Sequence, residues 1–108
     1  EADLVFDVRF LPNPHYTEAL RPRDGRDPAV RSFVLENEDA QAFLHRLTQL
    51  LEFLMPKYAA EPKSYLTLAI GCTGGRHRSV AIAEELAPVL ASMGYPVTIK
   101  HRDAALVG

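Results

Sequence analysis

The run YLTLAI, Tyr65 to Ile70, constrains this chain most, because six nearly all-apolar residues feed directly into GCTGGRHRS, Gly71 to Ser79. A run so short and so apolar reads as a strand covered on both faces, the habit of parallel sheets. The segment after it is too rich in glycine and arginine to continue a strand. Beyond that, from about Arg78 to Met93, the pattern is helical, and Gly94 is a natural left-handed stop. Parallel neighbours need long crossovers, so other strands and helices should flank this unit.

They are visible in the pattern. Leu4, Phe6, Val8 and Phe10 alternate with Val5, Asp7 and Arg9, the period of a strand. Val97 and Ile99 alternate with Thr98 and Lys100, a third strand nearer an edge. Between the first two strands, Ala40, Phe43, Leu44, Leu47, Leu50, Leu51 and Leu54 fall on one helical stripe, with Glu38 and Asp39 in its first turn and Pro56 as its expected stop. Asp27 followed by Pro28 predicts a cap and first residue of a short helix reaching Leu35. Pro88 should kink or split the last helix. Strand, helix, strand, helix, strand predicts an α/β fold: a single small domain, mainly parallel sheet, with helices covering it.

The chain of 108 residues, 47% hydrophobic and 24% charged, suits one domain with one modest core. No run approaches the ~20 apolar residues that cross a bilayer, and EADLVFDVRF at the start lacks a signal pattern. One cysteine excludes an internal disulfide. The expectation is a cytoplasmic domain with no membrane partner. A net charge of −2 gives no global attraction to nucleic acid, so any anion site must come from local clustering. Four scattered histidines and one cysteine show no metal-ligand spacing, and no cofactor is expected.

Parallel strands end on one edge, where ligands of open α/β sheets bind. That edge should collect LPNPHY, GCTGGRHRS and KHRD, and with them Asn13, His15, Cys72 to Arg78, His101 and Arg102. A strand that stops in glycines and restarts as a helix suits an anion: amides converge, the helix start adds partial positive charge, and Arg76 and Arg78 add full charge. Ser79 can donate from the first helical turn. Walker A is excluded, because Arg76 stands at the second glycine position and no Lys-Ser/Thr follows.

Cys72 to Arg78 is also Cys-x5-Arg, the phosphate loop of cysteine-dependent phosphatases. In that alternative Cys72 is the nucleophile and Arg78 the clamp, with Asp7, Asp24, Asp27 or Asp103 as the proton donor. Otherwise the chain has no catalytic residues, and Cys72 reads as a small buried filler. His77 reads as a ligand contact or a helix cap. Arg21, Arg23 and Arg26 lie in an irregular stretch, Leu11 to Arg26, and with His101 and Arg102 they are candidate RNA contacts.

Taken together, DVRFLPNPHY (Asp7 to Tyr16), LRPRDGRD (Leu20 to Asp27), SYLTLAIGCTGGRHRSV (Ser64 to Val80) and HRD (His101 to Asp103) resemble the C-terminal domain of the RapZ (YvcJ-like) family. The resemblance implies that residues 1–108 form one such domain, without the N-terminal P-loop nucleotide-binding domain of full members. It implies a sensor and RNase adapter rather than a classical enzyme. The expected ligand is glucosamine-6-phosphate or a related sugar phosphate, in the regulation of amino-sugar and cell-envelope precursor metabolism. The implied partners are a small RNA, an endoribonuclease and further copies of the chain, in a homo-oligomer. Matched by motif, Asn13, His15, Cys72, Thr73, Gly74, Gly75, Arg76, His77, Arg78 and Ser79 would line the phosphosugar pocket.

Overall fold

The computed structural model describes residues 2–62, 66–71, 77–94 and 97–101, of which 97 and 101 by backbone alone. Three strands, β1 (Leu4–Asp7), β2 (Leu66–Gly71) and β3 (Val97–His101), alternate with three helices, α1 (Pro28–Leu35), α2 (Glu38–Ala59) and α3 (Arg78–Ser92). The strands form one sheet in the order β1-β2-β3 and both pairings are parallel, as the pattern predicts.

Register decides which side chains share a face. Leu4 pairs with Leu68 and Phe6 with Ile70, and Leu68 also pairs with Ile99. That face carries the core, to which Val30 and Val34 of α1, Leu47 and Leu51 of α2, and Ile82, Leu86 and Leu90 of α3 contribute. Every residue of β2 is buried, which accounts for a run that is apolar but for Thr67. α3 packs on β2 and β3. Phe43 of α2 meets Phe6 and Phe10 edge-on, with ring centroids 5.9 and 5.7 Å apart, and so anchors α2 beside β1.

Two proline expectations are corrected. α2 does not stop at Pro56 but runs on to Ala59. Proline removes only its own donor; its carbonyl still accepts from Ala60 N at 3.2 Å, and buried Met55 holds the turn against the core. Nor does Pro88 split α3, which is continuous from Arg78 to Ser92. Pro88 lies on the exposed side, while Leu86 and Leu90 carry the helix across it in the core. Gly94 does take the left-handed conformation expected of it, with φ +81°.

The irregular stretch after β1 is ordered by its own polar groups. Asn13 caps a single 3-10 turn, Pro14–Tyr16, its Oδ1 accepting from His15 N at 3.0 Å. Thr17 O then accepts from both Leu20 N and Arg21 N at 2.9 Å. Asp24 Oδ1 accepts from Arg26 N at 2.8 Å, closing the bend that presents Asp27 to α1.

Asp27 caps α1 as predicted, its Oδ1 accepting from Ala29 N at 2.9 Å. That N–H holds the carboxyl below its ordinary value, and the Arg23 guanidinium adds to the effect. Because the folded-state value is depressed, the stabilisation is complete above the unfolded value of 3.8 and is lost as pH falls through the folded one. Asp27→Asn keeps the capping acceptor but cannot titrate. The melting temperature of that variant should therefore fall less steeply than wild type below pH ~4. Parallel pH–melting curves check this, and identical acid limbs would show that the cap contributes nothing to acid sensitivity.

Candidate functional site

The carboxyl ends of the strands lie on one edge, and the chain after β1 and the start of α3 meet there. The meeting is made by Arg78. The residue is 4% exposed, and its Nη1 donates to Arg9 O at 2.5 Å and Leu11 O at 3.2 Å. His77 and Ser79 on either side are also buried. His77 is the N-cap of α3 without a capping hydrogen bond from its side chain. The described part of the loop motif is thus packed into the domain, at the amide end of a 15-residue helix.

The same turn of α3 is approached by a second segment. Gly25 is buried with its backbone against this turn: a Cβ there would stand 2.5 Å from both Ala81 N and His77 O. Sequence reasoning missed Gly25. Its DGR context signals a loop, and nothing local to it says that another backbone lies alongside. The carbonyls of Arg9 and Leu11 were equally invisible, since main-chain acceptors carry no residue-type signal.

The other expected site residues are spread along this edge and the segment beside it. Asn13 spends its carbonyl oxygen on capping, and His15 is exposed, its ring edge-on to Tyr16 at 5.7 Å. Arg21 Nε donates to His15 O at 2.7 Å. Arg23 pairs with Asp27 at 3.3 Å, and Arg26 lies 3.6 Å from Asp24 and 3.8 Å from Glu84. Arg23 and Arg26 therefore carry carboxylates of the same neighbourhood with them. Cys72, Thr73, Gly74, Gly75, Arg76, Arg102 and Asp103 lie outside the described residues, as does the side chain of His101.

The three described candidate proton donors are all engaged. Asp7 accepts from Arg9 N and Nε, both at 2.9 Å. Asp24 accepts from Arg26 N, and Asp27 caps α1. A groove of about 640 Å³ between α1 and α3 includes none of His77, Arg78 or Ser79 in its lining, and its two cations, Arg26 and Arg31, face Glu84 and Glu85. Among the described residues no group of three His, Cys, Asp or Glu side chains could hold a metal ion. No helix among them is long and apolar enough to cross a membrane.

A parallel sheet with crossover helices, its carboxyl edge bringing the segment after β1 to the start of α3, defines the class: an α/β domain with its candidate site at that edge. Comparison with known proteins gives the family. The model of the RapZ C-terminal domain matches residues 1–105, and the chain belongs to that family. A nucleotide-binding protein of Trichlorobacter lovleyi is 62% identical over 103 residues, covering 95% of this chain and 36% of the relative. One from Rubrobacter xylanophilus is 60% identical over 107 residues, and one from Symbiobacterium thermophilum 57% over 103, covering 35% and 34% of those relatives and 95% of this chain. The chain spans about a third of the length of these curated relatives.

Proposed function

We propose that the domain is a sensor module for a small phosphorylated metabolite, with glucosamine-6-phosphate or a related amino-sugar phosphate as ligand. The phosphate would sit at the junction of β2 and α3. The observation that carries this reading is the buried start of α3, where His77, Arg78 and Ser79 stand at the carboxyl edge beside the segment leading to Asn13 and His15. Amides at a helix start, with guanidinium charge beside them, suit a dianion. The remaining ligand contacts, Cys72 to Arg76, are carried by the family motif.

Two alternatives fare less well on the same residues. RNA binding draws on uncompensated cations, yet Arg23 and Arg26 carry acidic partners. A phosphatase needs an acid free to give its proton to the leaving group, and Asp7, Asp24 and Asp27 are held in ion pairs and caps. The names of the relatives speak of nucleotide binding, so nucleotides belong in the ligand panel.

Calorimetry with glucosamine-6-phosphate, glucosamine, inorganic phosphate and nucleotides tests the reading. The phosphosugar should bind and glucosamine should not. Arg76→Ala should weaken binding about tenfold or more, the scale of one hydrogen bond to a charged group, ~1.5–3 kcal/mol. No heat from any phosphorylated compound would end the proposal.

A further inference from the structure

Arginine at the first position of a helix is badly placed electrostatically, because the helix start is already positive. A buried arginine is costlier still unless its charge is met. Arg78 is both, and it is met by main chain from far away in the sequence. Its Nη1 reaches two carbonyls 69 and 67 positions earlier, those of Arg9 and Leu11. These flank Phe10, whose ring is half-exposed against Phe43, so the guanidinium grips the bend itself from within.

We infer that Arg78 is a positioning residue: it fixes the bend after β1 and thereby sets Asn13 and His15 relative to the first turn of α3. This rests on the phosphosugar reading of the edge, and deepens it. The bend is closed by Leu11 N donating to Val8 O at 3.1 Å. Pro12 and Pro14 then lock φ on either side of Asn13, so little freedom remains between the gripped carbonyls and the 3-10 turn that carries His15. Gly25 lies with its backbone against the same turn of α3, so the helix start is packed as well as gripped. An arginine so used supplies charge to the site and order to the segment facing it.

Hydrogen exchange of the ligand-free chain, read beside phosphosugar calorimetry, tests this. Arg78→Ala should speed exchange of the Leu11, His15, Tyr16 and Thr17 amides about tenfold or more, with the α2 amides unchanged. Arg78→Lys, whose ammonium can reach one carbonyl, should restore part of that protection and part of the phosphosugar affinity together. If Arg78→Ala does not fold, the lysine variant against wild type carries the same comparison. Exchange at these four amides equal to wild type in a folded variant overturns the inference. So does a rise shared evenly by α2, which marks a purely global role. A wild type that binds no phosphosugar removes the reading of the site, whereas the exchange pattern still decides whether Arg78 holds the bend.

Discussion

Gly25→Ala is expected to lower stability by about 3 kcal/mol, a fall in melting temperature of roughly 12–20 °C for a domain of this size. The added methyl would stand 2.5 Å from His77 O and Ala81 N and 2.7 Å from Val80 Cβ. Those first two atoms are helix backbone and cannot rotate aside, so either the 20–27 segment lifts or the first turn of α3 moves. Both outcomes disturb the edge where the site lies. Gly94→Ala makes a useful contrast, because its Cβ would enter open space and the cost there is the left-handed backbone alone, about 1 kcal/mol. Denaturant melts of the two variants separate the causes. A Gly25→Ala protein within about 0.5 kcal/mol of wild type would mean that the arginine-bearing segment is not seated on α3.

Leu51→Ala should cost roughly 2–5 kcal/mol, while its neighbour Leu50→Ala should cost about 0.5 kcal/mol or less. Leu51 is fully buried in the core, so truncation leaves a cavity, whereas Leu50 is 40% exposed. The helical stripe read from the sequence contains both and cannot rank them. The true buried line is Ala40, Leu47, Leu51 and Met55. Chemical denaturation of the pair measures the difference directly, and equal losses would place the helix in a different rotation about its axis.

Elements set by local chemistry were legible from residues alone. Alternation along β1 and β3, the apolar run of β2, the Asp27 cap and the Gly94 stop each have a cause within a few positions, and each is present, with one exception. β1 ends at Asp7 rather than running to Phe10, because the chain turns there with Leu11 N donating to Val8 O. The proline expectations failed because a local rule was outweighed by packing: Met55, Leu86 and Leu90 hold helices together across Pro56 and Pro88. For the candidate site, the sequence identified Arg78 as a residue of consequence but said nothing of its partners, since two carbonyls nearly seventy positions away have no signature. Similarly, the arginines of residues 21–26 look like a basic patch when read in line. The charges of Arg23 and Arg26 are offset by Asp24 and Asp27, read in the same stretch, and by Glu84, brought up from α3.

The place of β2 between the two other strands also governs how the domain can come into being. β1 pairs with β2, and the clasp between Asp3 and Thr67 spans 64 positions. During synthesis the first strand therefore waits, unpaired, until β2 has emerged, and only local structure, α1, α2 and the turns between residues 13 and 27, can organise meanwhile. Such long-range closure is slow compared with helix formation and leaves an open strand at risk of meeting the wrong neighbour. A fragment ending before β2 would lack every strand pairing of the sheet, and one ending before α3 would lack the Arg78 guanidinium that meets the carbonyls of Arg9 and Leu11.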